Sequence, residues 1–375
     1  MSPQIISLHQ HRVHGQTLSQ AALEQSAGFL SAELSARVNA LQQLTNFLPS
    51  EVGQAMSSTD GWQTDLRQLR KIIAQLPGDT SISATASDGL QQIAADAITR
   101  VESRLQHLGA DFQGWLVQQE APGQFQPYVD TFFSRAFYLL VGLRVLAAHH
   151  RRLVLWARDE SSPPVVTRAD VGHLLQHSIE DARGFAREKY GVLPEVDVHI
   201  SGKPRLVCAD GHLMFIFHEV IKNAFTAHNV RYGIDADDGP AIDIRFSRFR
   251  EVEGGRNLLR ISVQDYGYGL TDVQQSHALS WLSTQVETAG GVSRRNDDNP
   301  HWKYTRDMGS QFSGYGIGLP LSRTYCWMMG GDLELESVKG EGTIVNMLLD
   351  TSGHLPWIPS HLDPSEFFTG FETSM

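Results

Sequence analysis

The sequence predicts two domains, an N-terminal helical bundle followed by an α/β domain. The chain has 375 residues, which exceeds the usual size of one domain and provides for two hydrophobic cores. Apolar residues recur at helical spacing up to about residue 160, whereas strand-like alternation begins later. Consecutive Ser and Pro residues at 161–164 mark this change, so we place the domain boundary at residue 163.

The N-terminal domain, residues 1–163, is predicted to contain four helices. The predicted helices share a helical spacing of apolar residues and cover about Leu18–Leu48, Asp65–Leu76, Gly89–Gln119 and Tyr128–Arg158. Pro-Gly pairs at 77–78 and 122–123 interrupt the pattern. Four helices of this length predict a four-helix bundle.

The second domain, residues 164–352, mixes helices with strands. A helix is expected at about Val171–Lys189. The predicted strands are short apolar or alternating stretches at Val196–Ile200, Ala241–Phe246, Leu258–Gln264, Asp332–Ser337 and Thr343–Leu349. This order of elements predicts an α/β sandwich, with residues 353–375 as a tail. A polar stretch at 287–312 has the character of a lid loop or a disordered segment.

Composition restricts the functional class. The formal net charge of -11 and the lack of a dense Lys/Arg cluster argue against nucleic acid as a partner. The longest apolar run, at 136–148, is interrupted by Arg144 and is shorter than the roughly 20 residues that span a bilayer, so no membrane insertion is predicted. Two cysteines, Cys208 and Cys326, indicate a reducing compartment.

The first candidate motif, at residues 218–224, lies on a predicted helix. Glu219 and Asn223 are four residues apart and therefore share a helix face. An amide oxygen suits Mg²⁺, and a neighbouring carboxylate can deprotonate an attacking hydroxyl or water. The pair is a candidate for phosphoryl transfer, although an ordinary polar helix surface carries the same residue types.

A second motif follows a predicted strand, where Asp265 precedes Gly267 and Gly269. The carboxylate could accept the exocyclic amine of adenine, and the glycines permit a sharp turn or close approach to a ligand. A plain Asp-x-Gly turn at a strand end is the alternative interpretation.

A third motif is rich in glycine and contains Gly314, Gly316 and Gly318 just before an apolar run. Glycines at a helix start can present N–H groups to phosphates. The motif is not a dinucleotide-binding fingerprint, because its position and spacing differ, and it is not a Walker loop, because no Gly-Lys-Ser/Thr follows.

In this order the motifs resemble the N, G1 and G2 boxes of the superfamily of gyrase-type ATPases, histidine kinases and mitochondrial protein kinases. They read Glu-x-x-Lys-Asn, Asp-x-Gly-x-Gly and Gly-x-Gly-x-Gly-Leu, and Gly-Glu-Gly-Thr follows at 340–343. The resemblance implies the Bergerat-type ATP-binding sandwich with a mixed sheet.

Within that superfamily the chain resembles the mitochondrial kinases of 2-oxoacid dehydrogenase complexes, the branched-chain and pyruvate dehydrogenase kinases. The matching segments are 316–325 with 331–335, 283–284, 189–191, 33–37 and 145–150. The resemblance therefore extends over most of the chain.

The resemblance implies roles for individual residues. Glu219 would be the general base toward a serine hydroxyl, Asn223 the Mg²⁺ ligand and Asp265 the adenine contact. The other implied nucleotide contacts are Lys222, Thr226, Gly267, Gly269, Ser283, Thr284, Gly314, Tyr315, Gly316, Ile317, Gly318, Leu319 and Thr343.

Several positions depart from the family pattern. Thr226 and His228 replace an Arg and a Thr, and Phe215 replaces a His four residues before the Glu. Tyr266 and Tyr268 are bulkier than the usual Arg and Gly. We expect these changes to alter ATP affinity or reaction rate.

The function implied by the resemblance is that of a protein serine kinase of the mitochondrial matrix. It would use ATP and Mg²⁺ to phosphorylate and inactivate the E1 subunit of a branched-chain or pyruvate dehydrogenase complex. Its regulatory helical bundle would dock on the lipoyl domain of E2, and the protein would be a homodimer.

Three alternatives stay open. A histidine-kinase-type phosphotransferase would need an acceptor-box histidine, which the sequence lacks. A nucleotide-sensing scaffold would have lost transfer through Thr226 and the enlarged G1 box. A mechanochemical ATPase would need a transducer domain, for which the chain has no candidate.

Overall fold

The computed structural model describes residues 20–49, 51–53, 60–74, 95–105, 108–109, 112, 115, 124–159, 166–191, 193–235, 239–250, 255–282 and 316–352. The chain divides into two compact units, with a boundary between Thr167 and Arg168. The predicted boundary at 163 and the tail at 353–375 lie outside the described residues and stay predictions.

The N-terminal unit is helical in its described part. Its labelled helices are α1 (Gln20–Gln43), α2 (Asp60–Ala74) and α3 (Gln126–Asp159), and a 3₁₀ turn, Leu44–Phe47, follows α1. Helix α1 packs against both α2 and α3. A further helical segment at 95–105 belongs to the predicted helix 89–119, much of which lies outside the described residues. The four-helix bundle therefore stays a prediction.

A buried ion pair lies within the first helix of this unit. Arg37 Nε donates to Glu33 Oε2 at 3.3 Å, and neither side chain is more than 2% exposed. The Arg37 guanidinium also lies 5.8 Å from the centre of the Tyr138 ring on α3. Buried charges persist in a core only when they are paired, so the segment 33–37, noted for its family resemblance, has a packing role here.

Helix α3 contains a long apolar stretch. Its part Gln126–Arg152 is long and apolar enough to cross a membrane by length and composition, and it is mostly buried within the protein. A core helix passes the same test, so the expectation of no membrane insertion stays a prediction.

The C-terminal unit combines strands and helices. Its elements in chain order are β1 (Val166–Asp170), α4 (Val171–Tyr190), β2 (Val196–His199), β3 (Arg205–Ala209), α5 (Asp210–Tyr232), β4 (Ile242–Arg250), β5 (Asn257–Asp265), α6 (Asp272–His277), α7 (Gly318–Met328), β6 (Asp332–Val338) and β7 (Gly342–Asp350).

The main sheet has the strand order β2-β4-β5-β7-β6. Strands β2 and β4 are parallel, while the other pairs are antiparallel, so the predicted mixed sheet is confirmed. Helix α5 packs on β5 and β7, and α7 packs on β6. Buried Leu259, Ile261 and Val263 alternate along β5 and supply the sheet side of this core.

Two strands, β1 and β3, were absent from the sequence prediction, and they pair in a small second sheet. Strand β3 is buried from Leu206 to Ala209 without alternation and continues directly into α5. A short apolar run next to a helix is indistinguishable from the helix by periodicity, which explains the omission. The five predicted strands and the helix at 171–189 are confirmed within a few residues.

Candidate nucleotide-binding site

Helix α5 carries the first group of candidate residues. Glu219 is buried, and Lys222 Nζ donates to its Oε1 at 2.5 Å from one turn further along the helix. Asn223 is exposed. The two side chains predicted to share a face therefore differ in environment. The Glu219 carboxylate is buried and paired with Lys222, whereas the Asn223 amide is exposed and accessible to a ligand.

Thr226, one of the predicted departures from the family pattern, links two helices. Its hydroxyl donates to the Lys222 carbonyl at 2.9 Å and accepts from the Tyr190 hydroxyl at 3.3 Å. Tyr190 is the last residue of α4. At this position the chain has a helix-to-helix hydrogen bond and no positive charge.

Asp265 ends strand β5 and is buried. Its carboxylate accepts the Gly267 N–H at 2.8 Å, and Thr343, its neighbour on β7, donates a second main-chain N–H. Burial raises the pKa of Asp265 to about 6, against the opposing effect of these two hydrogen bonds. A buried carboxylate with fixed donors on one side is suited to accept a donor such as an amine on the other.

Glycines at this site allow neighbouring segments to approach closely. A Cβ on Gly318, the first residue of α7, would overlap the Glu219 carboxylate. A Cβ on Gly267 would come 2.8 Å from the Ala227 Cβ. Gly342 has φ of 130° and packs directly on the Asp265 main chain, so only glycine suits it.

The glycine-rich segment begins α7 next to Glu219. Gly316 has φ of 68°, Ile317 is buried, and Gly318 and Leu319 form the first turn of the helix. The start of a helix exposes main-chain N–H groups that can bind phosphate. Four further predicted contacts, Ser283, Thr284, Gly314 and Tyr315, lie outside the described residues, as does the predicted loop at 287–312.

Thr343 belongs to a hydroxyl network that the sequence did not reveal. Its hydroxyl lies 2.9 Å from Ser337 Oγ, and Ser337 Oγ also accepts the Leu270 N–H at 2.8 Å. Ser337 thereby links Leu270, in the loop that follows Asp265, to the hairpin of β6 and β7. Like Ser337, Arg231 was not predicted as a site residue. Its guanidinium donates to the main-chain carbonyls of Tyr266 and Gly267 in the loop that follows Asp265.

The segment Ser-Arg-x-Tyr after the glycines has a structural role. Arg323 Nε and Nη2 donate to the two Asp332 oxygens at 2.8 and 3.0 Å. Asp332 Oδ1 also accepts from Trp327 Nε1 and from the Leu333 N–H, each at 2.8 Å. This network joins α7 to β6.

Four residues before Glu219, where the family pattern has a histidine, this chain has the apolar residue Phe215. Phe215 is buried, and its ring contacts that of Tyr325 edge-on, with ring centres 5.2 Å apart. Phe215 therefore offers no imidazole to Glu219, whose carboxylate contacts Lys222.

The fold and these contacts define the class of the second unit. Residues 209–353 match the family of histidine kinase-, DNA gyrase B- and HSP90-like ATPases. The matched region covers most of the second unit, and its mixed sheet and helices agree with the Bergerat-type fold implied by the motifs. Among the described residues, no group of three or more His, Cys, Asp and Glu gathers as a metal site.

Comparison with individual proteins shows which kinases the chain is related to. It is 28% identical to the mitochondrial [pyruvate dehydrogenase (acetyl-transferring)] kinase of Schizosaccharomyces pombe over 60% of this chain and 51% of that protein. The kinase of the same name from Arabidopsis thaliana is 26% identical over 60% of this chain and 58% of its own length. The one from Ascaris suum is 26% identical over 91% and 81%.

These similarities confirm the predicted resemblance to the mitochondrial dehydrogenase kinases. The chain matches between about half and three fifths of the length of the S. pombe and A. thaliana kinases.

Proposed function

We propose that the protein is a mitochondrial protein kinase that transfers the γ-phosphate of ATP to a serine of the E1 subunit of a 2-oxoacid dehydrogenase complex and so inactivates it. The observation that carries the proposal is the contact between the N and G2 boxes, where the Glu219 carboxylate occupies the space left by Gly318. A base and a phosphate-binding helix start must lie together for phosphoryl transfer.

In the proposed reaction the serine Oγ attacks the γ-phosphorus, and its proton passes to Glu219. The bond between the γ-phosphorus and the leaving oxygen of ADP breaks, and the proton is later released to water. Lys222 holds the carboxylate in position through its 2.5 Å ion pair. Positioning and charge neutralisation supply most of the catalysis in such transfers.

At the other end of the nucleotide, Asp265 would accept the adenine amine, and Thr343 would support this contact. Asn223 would contribute an oxygen ligand to Mg²⁺, and its exposure on the same helix as Glu219 is compatible with that role. One protein ligand is enough, because Mg²⁺ keeps water and phosphate oxygens as its other ligands. When bound, the metal would neutralise charge on the phosphates.

The proposed partners follow from the names of the relatives, which are pyruvate dehydrogenase kinases. We propose pyruvate dehydrogenase E1 as the first substrate to test and branched-chain E1 as the second. A homodimer in the matrix that docks on an E2 lipoyl domain through its helical unit completes the proposal.

A second candidate function is a nucleotide-sensing scaffold. It is favoured by Thr226, whose hydroxyl is engaged by Lys222 and Tyr190 and which brings no charge to the phosphates. Such a protein would bind ATP without transferring phosphate.

The test measures transfer of labelled phosphate from Mg-ATP to each purified E1. Glu219→Gln should bind ATP but transfer nothing, whereas the matched control Glu188→Gln, an exposed residue of α4, should transfer normally. Acid-stable label on one E1 with this pattern supports the serine kinase. ATP binding without any transfer favours the scaffold, and acid-labile label on the protein itself would establish the histidine-kinase alternative.

A further inference from the structure

Arg231 joins three elements that surround the Asp265 carboxylate. It lies near the end of α5, and its Nη1 is 3.0 Å from the Tyr266 carbonyl oxygen and 2.8 Å from that of Gly267. The same nitrogen is 2.9 Å from the Gly340 carbonyl oxygen. The first two carbonyls belong to the loop after Asp265, and the third belongs to the turn between β6 and β7.

These three carbonyl oxygens all lie within 3.0 Å of one nitrogen, Nη1 of Arg231. Their partial negative charges repel one another unless a donor lies between them. A guanidinium nitrogen offers two hydrogens, which the three oxygens share. The loop and the turn have one further link, since the Gly340 N–H donates to the Tyr268 carbonyl at 2.7 Å. Arg231 is therefore the side chain that offsets the repulsion at this junction.

The position of Asp265 depends on the same junction. The Gly267 N–H donates to the Asp265 carboxylate at 2.8 Å, and the Gly267 carbonyl accepts from Arg231. Gly342, two residues after Gly340, packs on the main chain of Asp265. A shift of the loop or of the turn would therefore move the carboxylate or its donors.

The exposed ring of Tyr268 covers the guanidinium. It is 57% exposed, and its centre lies 5.7 Å from the Arg231 Cζ. A cation over an aromatic face is attracted to it, which further holds the arginine in this conformation. Arg231 and Tyr268 thus form a local pair on the outer side of the Asp265 loop.

We propose that Arg231 is a positioning residue for base recognition, which holds the 266–267 loop against the 340 turn so that Asp265 selects nucleotides with a 6-amino group on the purine. The inference rests on the proposed ATP binding. It predicts that loss of the guanidinium weakens ATP and, in addition, reduces the preference for adenine.

The experiment compares the binding of ATP with that of purine riboside triphosphate, which lacks the 6-amino group. Arg231→Met keeps most of the side-chain volume and removes the donors. We expect it to bind ATP roughly tenfold more weakly, because small displacements of a contact group are costly. Its preference for ATP should fall toward that of Asp265→Ala, which marks the value without the carboxylate.

Two further variants sharpen the result. Arg231→Lys should keep more of the preference than Arg231→Met, because its Nζ carries three N–H groups for three carbonyls. Arg256→Met is the matched control. Arg256 lies just before β5, and its Nη1 also donates to a main-chain carbonyl, that of Gly330, at 2.8 Å. The control should leave the preference unchanged.

Amide hydrogen exchange gives a readout without nucleotide. Faster exchange at 266–270 and 340–343 in Arg231→Met, but not in Arg256→Met, supports the inference. An unchanged adenine preference, or equal effects in both arginine variants, overturns it. If the wild-type protein binds neither nucleotide, the ATP-binding proposal fails together with this inference, and the exchange data then show whether Arg231 holds the loop.

Discussion

Gly318 lies directly against the carboxylate of Glu219, so closely that a Cβ at this glycine would overlap Oε2. Glu219 lies on α5 and Gly318 begins α7. The contact brings a candidate base to the start of a helix that follows a glycine-rich segment. Although the φ of Gly318 is not positive, a side chain at this position would displace the Glu219 carboxylate.

Gly318→Ala should therefore displace the Glu219 carboxylate. We expect phosphate transfer to fall at least about tenfold, because the base would leave its position. The measurement is transfer to E1, with ATP affinity determined in parallel. Gly28→Ala, in open space on α1, is the control and should leave transfer unchanged while stabilising the helix by about 0.5–1 kcal/mol. Transfer within twofold of wild type in Gly318→Ala would contradict the assigned contact.

Asp265→Asn should change the pH dependence of stability. Burial raises the pKa of Asp265 from 3.8 to about 6, so folding favours the protonated acid and the wild type loses stability as pH rises from about 4 through 6. Asn cannot ionise. The free energy of unfolding of Asp265→Asn relative to wild type should thus increase by up to about 3 kcal/mol between pH 4 and 7.5.

Denaturant titrations at several pH values measure this difference. Asp197→Asn, at an exposed position on β2, controls for the loss of one charge. A constant difference between Asp265→Asn and wild type across this pH range would show that the carboxylate is not desolvated.

Asp332→Asn should destabilise the C-terminal unit. The carboxylate accepts two bonds from Arg323 and one each from Trp327 and the Leu333 main chain. Loss of the charge should cost about 2–3 kcal/mol, since hydrogen bonds to a charged group are the strong ones. Glu180→Gln, which removes an exposed ion pair with Arg183 on α4, should cost less than about 0.5 kcal/mol. Equal unfolding midpoints for the two variants would contradict the structural role proposed for the ion pair between Arg323 and Asp332.

Arg37→Met should destabilise the helical unit through the charge it leaves behind. Glu33 is 2% exposed, and breaking a buried ion pair by removing one partner costs about 3–5 kcal/mol. The double variant Glu33→Leu with Arg37→Met removes both charges and should recover much of that loss. Urea denaturation of the two single variants and the double variant gives the coupling energy. Additive losses would mean that the two side chains do not act as a pair.

Much of the second unit could be predicted from the sequence. Alternation located β5, an apolar stretch located β7, and residues 218–224 were placed on a helix. These patterns are local, because helix and strand geometry repeat over a few residues. The same local reasoning missed β3, whose apolar run carries no period.

Contacts between distant segments required the tertiary structure. Ser337 meets Leu270 across 67 residues, and Arg231 reaches Gly340 across 109. Both use main-chain groups, which every residue possesses and which therefore leave no mark in the sequence. Glu219 and Asn223 were predicted to share a helix face, but the tertiary structure decided that Glu219 is buried and that Asn223 is exposed. The sequence by itself determined which chemical groups are present and their order along the chain, and packing determined which of them meet.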